Sequence, residues 1–279
     1  MAEKTEAGVT IPYLRAKKVS GEKIVALTAY DFPSALILDR AGVDIVLVGD
    51  SLGMVVLGYE NTIPVTMDEM IHHTKAVSRA VKRALVIGDM PYFSFHQTEE
   101  LTIANASRFL KEAGARAVKV EGASGKRLGL IAALVEAEIP VMGHVGLTPQ
   151  SIHHLGQFRV RGGDEKEARK IIDDARNLEQ AGVFAVILEC IPEDVAGEIT
   201  ETLRVPTIGI GAGPLCDGQV LVFHDLVGYL TGDNPKFVKK YADVQSVIDG
   251  AVRQYADEVR RGIFPDEAHT YRPKKKASS

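Results

Sequence analysis

The sequence lacks several features that mark whole classes of protein. Tryptophan is absent and cysteine occurs only twice. No stretch approaches the roughly 18 uncharged apolar residues of a membrane helix, and the first ten residues contain no apolar segment like that of a signal peptide. We therefore expect a cytoplasmic protein that does not bind membranes, in which Cys190 and Cys216 are reduced thiols.

Neither sign of charge predominates. The 33 lysines and arginines nearly balance the 37 aspartates and glutamates, which leaves a net charge of −4. Such a balance argues against a general nucleic-acid-binding surface and is consistent with a small-molecule partner. The hydrophobic fraction of 46% supplies enough apolar material for a sizeable core. The composition thus predicts a soluble enzyme that acts on small molecules.

Four apolar runs end in carboxylates, and this recurrence is the strongest signal in the sequence. The runs are VDIVLVGDS, ALVIGDM, AVKVE and AVILE, and they lead to Asp50, Asp89, Glu121 and Glu189. Uninterrupted apolar runs are typical of strands buried on both faces of a parallel sheet. Because barrels and open α/β sheets place their chemistry at the carboxyl ends of the strands, the four carboxylates are candidate site residues.

Eight short apolar segments alternate with stretches of helical periodicity. The predicted strands are residues 23–29, 44–48, 84–88, 115–120, 139–143, 183–188, 207–210 and 220–223. This alternation predicts a (β/α)8 TIM barrel; a doubly wound open sheet, the alternative, would normally show fewer strands. Residues 52–65 and 147–163 are predicted as long loops and 244–260 as the last helix.

The whole chain, residues 1–279, is predicted to form a single barrel domain. A short helix over residues 11–18 would cap the amino-terminal end of the barrel. The basic tail, about residues 272–279, is expected to be disordered.

Asp50 and Asp89 each follow a glycine at the end of a predicted strand. Two aspartates that meet at a barrel mouth suit Mg²⁺, which proteins usually hold through one or two carboxylates, with water and substrate oxygens completing the octahedron. An aspartate in this position can also simply cap a turn. Two of them at matching strand positions, with further carboxylates at other strand ends, favour a metal site.

Lys119 and Glu121 lie two residues apart in one strand, so their side chains share a face. Val118 and Val120 are expected to face the surrounding helices, which points the two charged residues into the barrel. Buried charges need partners or a metal ion. The alternative is a structural ion pair, between the two residues or with a neighbour.

Glu189 and His144 complete the set of candidates. Apolar walls beside the Glu189 carboxyl would make it a usable general base near neutral pH, although an ion-paired or helix-capping role is equally open. His144 ends the fifth strand and is as readily a hydrogen-bonded histidine as a catalyst.

Several motifs together resemble one enzyme family. They are VGDSLGMVVLGYENTIPVTMDEMIHHTKAV, GDMPYFSF, VKVEG, GHVGLTPQ and IGIGAG, in this order. From about Thr10 to Gly262 the sequence is similar to the ketopantoate hydroxymethyltransferase family. The resemblance implies a TIM barrel of the phosphoenolpyruvate/pyruvate-type superfamily, often assembled as a homo-oligomer (a decamer).

The resemblance also implies an activity. The family transfers a one-carbon unit from 5,10-methylenetetrahydrofolate, its co-substrate, to 3-methyl-2-oxobutanoate, and forms 2-dehydropantoate for pantothenate and coenzyme A synthesis. By the same resemblance, Asp50 and Asp89 would bind Mg²⁺ with Glu121 as a further metal carboxylate. The 2-oxoacid would contact Asp50, Ser51, Asp89 and Lys119, and Glu189 would be the proton acceptor.

Two other functions are open to a chain with these residues. The first is a Mg²⁺-dependent oxoacid lyase or phosphonopyruvate-type mutase of the same superfamily. Such enzymes commonly carry a reactive cysteine or a different carboxylate cluster on a flexible loop, and no such cysteine is evident here. The second is a non-catalytic binding protein, which would not need several ionisable residues at its strand ends.

Overall fold

A computed structural model describes residues 8–156, 159–229 and 235–272. They divide into two compact units: the first extends to Phe223 and also includes Pro235–Val238, and the second holds the other described residues from His224 onward. Apart from Arg272, the predicted basic tail lies outside the described residues. None of the helices in the described ranges combines the length and the apolar character that a bilayer crossing requires.

The first unit is built on a closed barrel of eight parallel strands. Each strand pairs with the next along the chain, and β8 pairs with β1 to close the sheet. The strands are β1 (Ile24–Thr28), β2 (Ile45–Val48), β3 (Leu85–Asp89), β4 (Ala117–Glu121), β5 (Val141–Gly146), β6 (Ala185–Glu189), β7 (Thr207–Ile210) and β8 (Gly218–Leu221). The barrel prediction is confirmed, and the closing pair excludes the open sheet.

Helices follow most of the strands and begin at recognisable caps. They are α1 (Ile11–Ser20), α2 (Phe32–Ala41), α3 (Leu52–Val55), α4 (Met67–Ala80), α5 (Glu99–Lys111), α6 (Gly125–Glu136), α7 (Ile152–Leu155), α8 (Glu165–Gln180), α9 (Glu193–Thr202), α10 (Phe223–Val227) and α11 (Val244–Arg260). Thr66 and Glu69, for example, exchange side-chain and backbone hydrogen bonds in a capping box that starts α4.

The alternation of side chains along the strands creates two hydrophobic layers. One lies inside the barrel and contains, among others, Ile45, Ile87 and Ile187. The other lies between the strands and the helices and includes Val118 and Val120. The prediction that these two valines face the helices is therefore confirmed. Because side chains alternate along a strand, Lys119 and Glu121 point into the barrel.

Three predicted boundaries were wrong. The predicted loop 52–65 opens with the short helix α3, and the predicted loop 147–163 contains a 3₁₀ turn at Pro149–Ser151 followed by α7. Helices of three or four residues are too short to show a period in the sequence. The eighth strand is Gly218–Leu221 rather than 220–223, because it starts where Gly218 pairs with Ile24 of β1. Glycine is needed at this position, since a Cβ would come within 2.5 Å of the Ile24 carbonyl oxygen.

In the second unit, α11 covers the predicted range 244–260. Asp243 caps it by accepting a hydrogen bond from the Ser246 N–H at 3.2 Å. The turn before this helix is held by a hydrogen bond of 2.8 Å from the Tyr241 N–H to the Leu226 carbonyl.

An ion pair attaches α1 to the amino-terminal ends of the strands. Lys17 Nζ lies 2.7 Å from Asp44 Oδ2, and the same oxygen accepts the Val25 N–H at 2.9 Å. Both side chains of the pair are only 6% exposed. Asp44 raises the pKa of Lys17 above its ordinary value against the opposing effect of burial. Asp44 therefore depends on Lys17 for its neutralising charge.

We predict that Lys17→Met lowers the free energy of unfolding by about 3 kcal/mol, because it leaves the Asp44 carboxylate buried without its counter-ion. Arg15→Met, at an exposed position of the same helix, is the matched control and should change stability little. Urea unfolding followed by circular dichroism measures both variants. Equal stability of the two variants would contradict a structural role for the pair.

Candidate active site

The strand register places the charged side chains next to one another at the carboxyl ends of the strands. Asp89 of β3 is directly beside Lys119 of β4. Glu121, two residues further along β4, is directly beside His144 of β5. Each pair follows from the parallel pairing alone, so the barrel brings together residues that are far apart in the sequence.

Lys119 lies at the centre of the cluster. Its Nζ donates hydrogen bonds to both carboxylate oxygens of Asp89, at 2.9 and 2.8 Å, and to Glu121 Oε1 at 3.2 Å. The three side chains are at most 6% exposed. Burial opposes the charge of Lys119, but the surrounding carboxylates of Asp89, Glu121 and Asp50 raise its pKa above the ordinary value.

Asp50 and Ser51 come from the turn that follows β2. The Asp50 N–H donates to Asp89 Oδ2 at 3.2 Å, so the two predicted metal-binding aspartates are immediate neighbours. The hydroxyl of Ser51 lies 2.8 Å from that of Tyr30, at the end of β1. The structure thus gathers Asp50, Ser51 and Asp89 at one side of the barrel mouth.

Glycine before Asp89 allows this strand to lie close to its helix. A Cβ at Gly88 would come within 2.2 Å of the Phe109 ring of α5, which is closer than packed atoms approach. Only glycine allows β3 and α5 to approach so closely, and Asp89 follows directly after this contact.

His144 links Glu121 to Glu189. Its Nδ1 is 3.5 Å from Glu121 Oε1, and its Nε2 is 3.3 Å from Glu189 Oε2. Neither contact is a well-directed hydrogen bond, so both are electrostatic contacts. Burial alone would lower the pKa of His144, but the two carboxylates raise it to about 9. His144 is therefore protonated at neutral pH and lies between two acids.

Gln150 is a residue of the site that the sequence patterns missed. Its Nε2 donates to Asp50 Oδ2 at 2.9 Å and to the Met90 carbonyl at 3.0 Å, and its backbone N–H donates to Glu121 Oε2 at 3.2 Å. It belongs to the 3₁₀ turn after β5, within a segment that shows no period. The only sequence feature that pointed to Gln150 was the family motif GHVGLTPQ, of which it is the last residue.

The carboxylates outnumber the lysine. Burial, together with the charges of Asp89 and Glu121, raises the pKa of Asp50 well above its ordinary value. Burial likewise raises the pKa of Asp89, although Lys119 opposes the shift. Burial also acts on Glu121, but Lys119 and His144 hold its pKa at about 2. Asp50 is therefore the carboxyl group of the cluster whose negative charge is least compensated.

This donor set fits Mg²⁺ in the form in which proteins usually bind it. Among residues 8–156, 159–229 and 235–272, no three histidine, cysteine or acidic side chains form a ready-made metal cage. Mg²⁺ does not require one, because one or two carboxylates with water and substrate oxygens suffice. Asp50 and Asp89 are two adjacent buried carboxylates whose mutual repulsion a divalent cation would relieve.

Solved structures share the architecture of this chain. A phosphonopyruvate hydrolase in complex with oxalate and Mg²⁺ superposes with a TM-score of 0.61 over 95% of this chain and 93% of its own, at 16% identity. A 2,3-dimethylmalate lyase, a member of the PEP mutase/isocitrate lyase superfamily, superposes with a TM-score of 0.59 over 94% and 91%, at 15% identity. The fold of this chain is therefore the closed barrel that these structures share.

Curated proteins of similar sequence have a much higher identity to this chain than these solved structures. A 3-methyl-2-oxobutanoate hydroxymethyltransferase of Moorella thermoacetica is 57% identical over 95% of this chain and 98% of its own length. The one of Thermoanaerobacter sp. (strain X514) is 55% identical over 95% and 97%. The family model of ketopantoate hydroxymethyltransferase matches residues 8–267. The chain belongs to the ketopantoate hydroxymethyltransferase family of enzymes.

Proposed function

We propose that the protein transfers a hydroxymethyl group from 5,10-methylenetetrahydrofolate to 3-methyl-2-oxobutanoate and so forms 2-dehydropantoate for pantothenate and coenzyme A synthesis. The observation that carries the proposal is the buried cluster of Asp50, Asp89 and Glu121 around Lys119 at the barrel mouth. Relatives at 55–57% identity are named 3-methyl-2-oxobutanoate hydroxymethyltransferase, which supports the transfer of a hydroxymethyl group to this oxoacid. A cytoplasmic homo-oligomer without nucleic-acid or membrane partners is part of the same proposal.

Asp50 and Asp89 would hold Mg²⁺, with Glu121 as a further carboxylate of the metal environment. When bound, Mg²⁺ supplies a Lewis acid for the keto oxygen of the substrate. Gln150 positions the Asp50 carboxylate through its 2.9 Å hydrogen bond. Lys119 and Ser51 would orient the substrate carboxylate, since an ammonium and a hydroxyl group donate hydrogen bonds to it.

Glu189 would take the proton from C3 of the oxoacid. Its side chain is 18% exposed, so it can reach a substrate at the barrel mouth. His144 Nε2 lies 3.3 Å from Glu189 Oε2 and helps to position the carboxylate. C3 then forms a bond to the folate methylene carbon as one C–N bond breaks. Water then attacks the transferred carbon, and the second C–N bond to folate breaks as the C–O bond of the hydroxymethyl group forms. Tetrahydrofolate leaves with the C3 proton on one nitrogen and a proton of the water on the other.

Asp89→Asn is predicted to reduce Mg²⁺-dependent turnover by about 100-fold or more, because it removes one of the two proposed metal carboxylates. The assay measures 2-dehydropantoate against Mg²⁺ concentration. Asp68→Asn, an exposed aspartate at the start of α4, serves as the control. Wild-type turnover in Asp89→Asn would remove this residue from the metal site.

Glu189→Gln should slow hydrogen exchange at C3 of 3-methyl-2-oxobutanoate in deuterated water by about 10²-fold or more, the contribution typical of a general base. Binding of the oxoacid, measured by calorimetry with Mg²⁺, should change little. Glu193→Gln, at an exposed position at the start of α9, controls for the loss of a nearby charge. Unchanged exchange in Glu189→Gln would assign the proton transfer to another group.

Gln150→Ala is expected to raise the Mg²⁺ concentration for half-maximal exchange by about tenfold, because residues that orient metal ligands typically contribute this much to affinity. Gln97→Ala, an exposed glutamine with one weak hydrogen bond, is the matched control. The same Mg²⁺ dependence in both variants would mean that Asp50 needs no support from Gln150.

A further inference from the structure

A cavity of about 270 Å³ lies beside the carboxylate cluster. Glu121 and Gln150, which belong to the cluster, also form part of the wall of the cavity. The other lining residues are Ile63, Tyr92, His96, Arg127, Ser151, His153 and His154. Anything bound in this cavity is therefore next to the residues that would hold the oxoacid.

Aromatic rings form one side of the cavity. Tyr92 and His96 belong to the segment after β3, and their ring centroids are 5.3 Å apart. Phe95 supports His96 from within the core, at 4.4 Å. Tyr92 is 41% exposed, so one face of an aromatic side chain remains available to a flat ligand, an arrangement that aromatic stacking favours.

Two residues of the wall each carry a buried polar atom that has no hydrogen-bond partner. The atoms are Nδ1 of His96 and Oε1 of Gln150. Buried polar atoms are nearly always hydrogen-bonded in folded proteins, and exceptions tend to mark a function. Burial and the nearby Arg127 lower the pKa of His96 to about 4, so the ring is neutral and offers one donor and one acceptor. The wall thus suits a planar ligand with both donors and acceptors.

Basic groups line the same cavity. Arg127 is held in place by a hydrogen bond of 2.7 Å from its Nη1 to the Glu121 carbonyl and lies 5.0 Å from the centre of the Phe95 ring. His153 and His154 are exposed. An anionic group that extends from a ligand in the cavity would meet these basic side chains.

We propose that this cavity binds the pterin ring of the folate co-substrate, with Tyr92 stacking on the ring and His96 and Gln150 hydrogen-bonding to its polar edge. The inference rests on the proposed function. The pterin is planar and has donors and acceptors, whereas the folate tail is anionic. The volume accommodates the bicyclic ring system but not the whole molecule, so the tail would leave the cavity past the basic groups toward solvent.

The test compares Tyr92→Ala and His96→Ala with Phe93→Ala. Phe93 is an exposed aromatic residue of the same segment that does not line the cavity. Two quantities are measured for each protein: the Kd of tetrahydrofolate by calorimetry with Mg²⁺, and the C3–H exchange of 3-methyl-2-oxobutanoate in deuterated water without folate. The first reports on the cavity and the second on the oxoacid site alone.

Tyr92→Ala and His96→Ala should each weaken tetrahydrofolate binding by about tenfold, the loss expected for one stacked ring or one buried hydrogen bond. Their exchange rates should stay within about twofold of wild type, because neither side chain is among the groups that hold the carboxylates of the cluster, which are Lys119, His144 and Gln150. Phe93→Ala should match wild type in both measurements. Ile63→Trp, which fills the cavity from another wall residue, should weaken folate binding in the same way.

Wild-type folate affinity in Tyr92→Ala, His96→Ala and Ile63→Trp would overturn the inference, as would an equal loss in Phe93→Ala. A parallel loss of exchange and folate binding would also overturn it, because the residues would then act on the oxoacid site. Failure of the proposed function gives a separate result: the wild-type protein itself would show no Mg²⁺-dependent exchange.

Discussion

The buried ammonium of Lys119 is the interaction on which the site depends. It lies between Asp89 and Glu121, which leaves Asp50 as an acid without a cation of its own inside the barrel. Lys119 and the protonated His144 cannot neutralise the four carboxyl groups of Asp50, Asp89, Glu121 and Glu189, which meet them in a largely buried cluster. The divalent cation that we propose would stabilise this arrangement, which is a poor one for structure alone.

The backbone of the barrel holds these charges in place. Asp89, Lys119, Glu121 and His144 all lie on strands, so their relative positions are set by parallel hydrogen bonding rather than by flexible loops. Sites built on strands are held more tightly than sites built on loops. Asp50, Gln150 and the aromatic segment that contains Tyr92 come from the turns and loops that follow the strands.

The shared wall at Glu121 and Gln150 explains how two substrates could meet. Glu121 interacts with Lys119 and His144 on the side of the cluster, and its backbone carbonyl accepts the hydrogen bond from Arg127 beside the cavity. A reaction between an enolate and a folate methylene requires both partners within bonding distance. Two adjoining compartments with common residues, as we propose, would satisfy this requirement without any movement of the barrel.

The sequence by itself determined the barrel and most of the candidate site residues, because buried parallel strands appear as apolar runs and four of these runs end in carboxylates, such as Asp89 and Glu121. Only the tertiary structure decided which charges meet. The pairing of Lys119 with Asp89 depends on strand register, and the contacts of His144 with two glutamates depend on strand neighbours. Gln150 reaches Asp50 across 100 positions of sequence, and no local pattern encodes contacts that arise only when the barrel closes.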